Sequence, residues 1–183
     1  MPEIYKLIAD DPEEGARALL AEYGERLYAT AYRLCLNEAD AEDLAFRTMA
    51  RAIERNSSFK GESRYFTWLC AIMINFMKMD ARRKGANSLV FSEEQTEGED
   101  ARPNPAESVE MADEHARIRR AVESLPDSLR IPVVLFYFDR MGVGEIAERL
   151  GAPEGTVYYR LHEARKAIKN KLVQEYHTSQ HQR

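Results

Sequence analysis

Residues 145–166 read EIAERLGAPEGTVYYRLHEARK, and this stretch decides the fold of the C-terminal third. Ile146, Ala147 and Leu150 recur at helical spacing and stop at Gly151, a residue suited to the left-handed cap that ends a helix. Pro153 stands near the first turn of a new helix, where a missing N–H costs nothing. From there Val157, Leu161, Ala164, Ile168 and Leu172 line one face, and Tyr158, His162, Arg165 and Lys169 line another. Two helices joined by a tight turn, with small Ala147 allowing a close crossing, make a helix-turn-helix. A plain helical hairpin in a bundle would share the apolar pattern. Gly151, Pro153 and a cationic, aromatic outer face sized for the major groove favour DNA binding.

Working outward, the rest of the chain is also helical in its spacing, and strand alternation is nearly absent. Ala116 to Leu125 forms a helix ended by Pro126, which opens the next one. Pro132, about two turns in, should bend or loosen that helix. Met141 to Gly144 breaks the chain before the helix-turn-helix. Near the N-terminus Leu19, Leu20, Tyr23, Leu27, Ala31 and Leu34 make one apolar stripe. A second helix begins near Asp40, with Glu42 and Asp43 suiting a helix N-terminus. Leu44, Thr48, Met49 and Ala52 form its expected core face, and Phe46, Ala50 and Ile53 a stripe on another face. A third helix is expected from Ser63 to Arg83, with Phe66, Leu69, Met73 and Phe76 on one side, after a loop at Asn56 to Glu62.

Residues 86–112, ANSLVFSEEQTEGEDARPNPAESVEMA, have linker composition. The fold class is therefore all-α, as two small helical domains joined by an acidic flexible linker. Residues 1–85 form the first unit, 86–112 the linker, 113–176 the second unit, and 177–183 a disordered tail.

Composition removes most other classes. No apolar run approaches the roughly 20 residues of a membrane helix, and the N-terminus has no signal pattern. Cys35 and Cys70 lie in apolar-periodic segments and read as buried thiols in a reducing cytosol. Net charge is −5, which by itself does not suggest a nucleic-acid binder. Its distribution says more: the acidity concentrates in the linker, while Lys78 to Lys84 and Arg160 to Lys171 are strongly basic. Local sign decides binding to a phosphate backbone. Catalysis has no support: the four histidines form no ligand set, and there is no nucleophile motif, P-loop or clustered carboxylate pair. No cofactor or metal is expected.

A second constellation lies at residues 59–84, FKGESRYFTWLCAIMINFMKMDARRK. A glycine-containing loop leads into a helix bearing aromatics, Asn75 and a cationic end. Aromatic faces for stacking and cations for phosphates are what single-stranded bases require. Burial of Phe66, Trp68 and Phe76 in a core, with Arg82, Arg83 and Lys84 as a solvated helix end, accounts for the same pattern.

Taken in order, these pieces resemble the extracytoplasmic-function sigma factors, the smallest group of the sigma-70 family. ADAEDL at 39–44 is similar to the entry of that family's polymerase-binding helix. FKGESRYFTWL at 59–69, with Ile72 and Asn75, resembles its promoter-melting segment. LPD at 125–127, EIAERLG at 145–151 and GTVYYRLHEAR at 155–165 resemble its second DNA-binding domain. The resemblance spans nearly the whole chain.

The resemblance implies a cytoplasmic RNA polymerase subunit that directs transcription initiation and is not an enzyme. The first unit would be sigma region 2 and the second sigma region 4. Asp40, Glu42, Asp43, Phe46, Arg47, Ala50 and Ile53 would bind the clamp of the beta-prime subunit of core polymerase. Phe59, Lys60, Gly61, Glu62, Ser63 and Asn75 would form a pocket for a flipped minus-ten base, with Lys78, Arg82, Arg83 and Lys84 holding nearby phosphates. Glu154, Gly155, Thr156, Tyr158, Tyr159, Arg160, His162, Glu163, Arg165 and Lys166 would meet the minus-thirty-five element. An anti-sigma factor would be a further partner, and no membrane insertion is expected.

The chain departs from the family pattern in places. Phe46-Arg47 replaces a common polar pair, Ile53 a common tryptophan, Tyr158-Tyr159 a basic residue and serine, and Glu163 an arginine. These changes motivate an alternative: a sigma-like decoy that sequesters an anti-sigma factor without binding polymerase.

Overall fold

The computed structural model describes residues 3–83 and 110–180, with side chains over 115–174 in the second stretch. The chain divides into two compact units whose division falls between those stretches. Among the described residues the regular structure is helical throughout, and no helix is long and apolar enough to cross a membrane.

Among its described residues, unit 1 has four α-helices: α1 (Ile4–Asp10), α2 (Pro12–Cys35), α3 (Glu38–Glu54) and α4 (Tyr65–Arg83). Each starts or stops for a local reason. Asp11 accepts from the backbone N–H groups of Glu13 and Glu14, with Pro12 at the first helical position. Leu36 closes α2 in the left-handed region at φ 55°, and Asn37 caps α3 by accepting from the Asp40 N–H. Leu19, Leu27, Leu69 and Met73 are fully buried and fill the space between α2, α3 and α4. Truncating any one of them to alanine would cost about 2–5 kcal/mol.

Two expectations for this unit change, and one helix is added to it. Leu20 is 59% exposed, because it stands one position outside the inward stripe that Leu19, Leu27, Ala31 and Leu34 occupy. Cys70 is buried, but Cys35, at the C-terminal end of α2, is only half-buried. The short helix α1 was not expected. It is held by Ile4 and Ile8, both buried. It lies so close to α2 that a Cβ on Gly15 would come within 2.5 Å of the Ile8 Cα.

Unit 2 contains α5 (Glu110–Glu123), α6 (Asp127–Val133), a π turn over Val134–Phe138, α7 (Val143–Leu150) and α8 (Glu154–Gln180). Helix α5 starts within the stretch expected as linker, so Glu110, Met111 and Ala112 are helical. Acidic residues there suit a helix start as well as a linker. Helix α8 continues through Gln180, beyond the tail boundary expected at 177, because nothing in VQEYHTSQ breaks a helix. Pro132 loosens its helix as expected. It cannot donate one turn back, and the turn after it widens so that the Asp139 N–H reaches the Val134 carbonyl at 3.1 Å. Arg130 explains why Leu125, Pro126 and Asp127 occur together. Its buried guanidinium donates to the Leu125 carbonyl at 2.7 Å and to the Asp127 carboxylate at 2.6 Å, locking the α5–α6 corner. Ile146, Leu150, Val157, Leu161 and Ala164 make the seam of the helix-turn-helix.

Candidate nucleic-acid interface

In unit 1 the loop between α3 and α4 is shaped by aromatic rings. Phe59 meets Tyr5 of α1 edge-on with ring centroids 5.1 Å apart, Tyr65 at 4.9 Å and Trp68 at 5.5 Å. Tyr65 also faces Trp68 at 5.3 Å and Tyr23 of α2 at 5.9 Å. Burial, and then the neighbouring Tyr23, push the Tyr65 phenol up to about 12. Asn56, in a short 3-10 turn (Asn56–Ser58), is buried beneath this nest and donates to the Tyr5 carbonyl at 2.6 Å. Gly61 has φ +75°, a conformation open to glycine at no steric cost, and it turns the loop back toward α4. Beside the nest lies a half-open cleft of about 410 Å³, lined by Tyr5, Tyr23, Phe59, Gly61, Ser63 and Tyr65 together with the charged Glu3, Glu22 and Arg64.

Phe59, Gly61 and Ser63 thus share one cavity, with Lys60 and Glu62 exposed on the loop. Asn75 does not line it. It is exposed on α4, seven residues past Trp68, or about 10 Å along the axis. Trp68, Ile72, Asn75, Met79 and Arg82 follow one another on a single face. The structure therefore replaces the expected single pocket with a stripe that starts at the ring nest and ends in cations. Lys78 is half-buried beside that stripe, and its amine is held below the usual lysine range by burial and then by Arg82. Arg82 and Arg83 are exposed, and Lys84 lies outside the described residues. Tyr5 and Asn56 were missing from the expected set. Nothing local marks either of them, because the contacts that join Tyr5 to Asn56 and Phe59 cross about 50 residues of chain.

On α3, Asp40, Glu42 and Asp43 are exposed, Phe46 is 70% exposed, and Ala50 and Ile53 are half-buried. Arg47 departs from the expected outward role. Its guanidinium makes a two-point contact with the Asp80 carboxylate of α4, at 2.8 and 3.2 Å, and reaches Asp43 at 3.0 Å. It also lies 4.5 Å from the Phe76 ring centroid. Hydrogen bonds to Asp80 and then Asp43 raise its pKa. Arg47 therefore ties α3 to α4 within the unit.

In unit 2 the turn between α7 and α8 is closed by Gly151, at φ 69°. The Ala152 N–H bonds back to the Ala147 carbonyl at 3.0 Å, and the Gly151 N–H to that of Glu148 at 3.2 Å. The Glu145 carboxylate accepts from the Gly142 N–H at 2.9 Å and fixes the other end of α7. On α8 the residues divide by helical angle. Glu154, Gly155, His162 and Lys166 are exposed, and Tyr158, Tyr159, Glu163 and Arg165 are half-buried at the surface. Two expected DNA contacts are instead internal: Thr156 is 6% exposed and Arg160 7%. Both fall on the side of α8 that carries Val157, Leu161 and Ala164, since 156, 160 and 164 repeat every four residues. Burial pulls the Arg160 guanidinium below its ordinary value. The outward basic side chains of this stretch are thus Lys166, Lys169 and Lys171, with Arg165 half-buried at the surface.

Comparison with known proteins gives consistent matches across both units. The family model "Sigma-70 region 2" matches residues 19–87, and "Sigma-70, region 4" matches residues 115–168. The chain is 30% identical over 162 residues to the ECF RNA polymerase sigma factor SigW of Bacillus subtilis, covering 82% of this chain and 84% of that one. It is 30% identical over 141 residues to the ECF RNA polymerase sigma-E factor of Escherichia coli, covering 73% of this chain and 74% of that one. Among solved structures, the sigma factor RpoE of Bartonella quintana, in complex with the anti-sigma factor NepR, matches with a TM-score of 0.60. That match is at 24% identity and covers 85% of this chain and 95% of that one.

Proposed function

The chain belongs to the extracytoplasmic-function sigma factors of the sigma-70 family, and on that premise we propose the following division of work. Helix α3 docks on the clamp of core RNA polymerase through Phe46, flanked by Ala50 and Ile53 and by the acidic first turns. The α3–α4 loop receives one unstacked base of the minus-ten element against the Phe59 nest. The strand then runs along α4 past Asn75 toward Arg82 and Arg83. Helix α8 enters the major groove of the minus-thirty-five element, with Tyr158, Tyr159, His162, Glu163, Arg165 and Lys166 toward DNA and Gly155 at the closest backbone approach.

The physical case rests on what each surface offers. A ring nest with a cavity supplies the stacking that repays extrusion of a base, which costs a few kcal/mol. Cations at the far end of the stripe meet phosphate. On α8, Tyr158 can donate one hydrogen bond and pack on a thymine methyl, while Glu163 can accept from cytosine N4. Each such base contact contributes about 1–3 kcal/mol of discrimination. No residue in this scheme performs a chemical step.

A related solved structure is a sigma factor held by an anti-sigma factor. The same class of partner is proposed here, for a chain acting in the cytoplasm.

The observation that carries the proposal is the continuous stripe from the Phe59 nest to Arg82. Asn75 is exposed, so Asn75→Ala tests the stripe without disturbing the core. It should leave polymerase binding intact and slow promoter opening on duplex DNA, with the defect shrinking on a template that is already melted. Equal loss on both templates would remove Asn75 from base recognition.

A further inference from the structure

We infer that α1 is a working part of the promoter loop: Tyr5 and Asn56 are positioning residues that hold Phe59 in the orientation a captured base requires. The inference rests on the base-capture reading above, and it concerns a helix which that reading does not use.

Three observations carry it. Phe59 has rings on three sides, and only one of them, Tyr5, comes from outside the loop and α4. The Asn56 side chain spans the same junction. It donates to the Tyr5 backbone carbonyl at 2.6 Å, and its carbonyl oxygen faces the Tyr65 hydroxyl at 3.4 Å. One amide thus links α1, the start of the loop and the first residue of α4. Finally, α1 is itself seated at a fixed height. Ile8 packs against Gly15 so closely that a Cβ there would lie 2.5 Å from the Ile8 Cα and 2.6 Å from its N, both backbone atoms that cannot swing aside.

The mechanical consequence is a lever. A shift of α1 on α2 moves Tyr5, and Tyr5 moves with the face of Phe59 that lines the cavity. Without that third wall Phe59 would be held by α4 alone, and its ring could rotate away from a stacked base. Base choice, more than polymerase affinity, should then suffer, because α3 lies outside this chain of contacts.

Two variants of the full-length chain test this. Asn56→Asp removes the amide donor at nearly constant shape. Gly15→Ala displaces α1 from a distance and touches no proposed DNA contact. Trp68 is the chain's one tryptophan and lies 5.5 Å from Phe59, so its emission reports on the nest without any DNA. Both variants should shift Trp68 emission to longer wavelength. With core polymerase, both should lose about 5- to 10-fold in selectivity between the preferred base and the other three at the captured position, the scale set by one buried hydrogen bond. Polymerase affinity should hold. Unchanged emission and unchanged selectivity in both variants would overturn the inference. So would a selectivity loss that merely tracks a fall in polymerase affinity. A wild-type holoenzyme that prefers no base at any melted position would overturn the promoter-reading assignment and this inference with it. The Trp68 shift, which needs no DNA, tells the two failures apart.

Discussion

Arg160 offers the sharpest test of how α8 is divided between core and DNA. By sequence it belongs to the basic stretch of the helix-turn-helix, and by structure it is 7% exposed on the inner face. Removing a buried side chain of this size leaves a void on the inner face of α8. Arg160→Ala should therefore destabilise unit 2 by about 2–4 kcal/mol. For a domain of this size that lowers the melting temperature by roughly 10–25 °C. DNA binding by the folded fraction should keep its salt dependence, because no phosphate contact is lost. Lys166→Ala makes the opposite prediction. Lys166 is exposed, so stability should move by less than about 0.5 kcal/mol, while the slope of log affinity against log salt should fall by about 0.9. The assays are thermal unfolding followed by circular dichroism, and fluorescence anisotropy on a labelled minus-thirty-five duplex with the full chain held well below its melting temperature. A lower salt slope for Arg160→Ala with unchanged melting would refute this division of the helix.

Other predictions follow from unit 1. A double-mutant cycle on Arg47 and Asp80 should give a coupling of about 1 kcal/mol, the scale of a two-point, partly exposed ion pair, read by urea unfolding. Phe46→Ser should leave stability within about 0.5 kcal/mol yet weaken polymerase binding at least tenfold, as measured by retention on immobilised core enzyme. Stability should also respond to alkali through Tyr65. Its phenol is raised to about 12 in the folded chain from an ordinary value of 10.0. Its contribution is therefore complete below pH 10 and is lost as pH rises toward 12. Tyr65→Phe should remove that part of the alkaline loss in an unfolding series across this range.

Much of this architecture was legible because it obeys local rules. Gly151 and Pro153 punctuate the helix-turn-helix, and Val157, Leu161 and Ala164 keep the period that closes it. Pro132 announced its own irregular turn. What escaped was long-range or chemically ambiguous. Helix α1 has only seven residues, too few for a periodic signal. Its value lies in contacts from Tyr5 to Phe59 and Asn56, far along the chain. Arg47, Arg130 and Arg160 look like surface cations by composition. Each is drawn inward by partners or burial that a one-dimensional pattern does not encode, and a long side chain can hide its head as easily as extend it. Leu20 failed in the opposite sense, being apolar but one position off the buried stripe. The candidate DNA surface was therefore readable in outline, while its exact membership depended on helical angle and on neighbours from other helices.

Promoter-directed initiation is tested most directly by transcription with purified core RNA polymerase on a pool of bacterial promoter fragments, with and without the full chain, with start sites mapped. A sigma factor of this kind should give a small set of starts that appear only when the chain is added, sharing one upstream and one melted element at fixed spacing. Those starts should be lost with Asn75→Ala and partly restored on melted templates. Binding to polymerase with no chain-dependent start, or tight duplex binding that only represses transcription, would contradict this role.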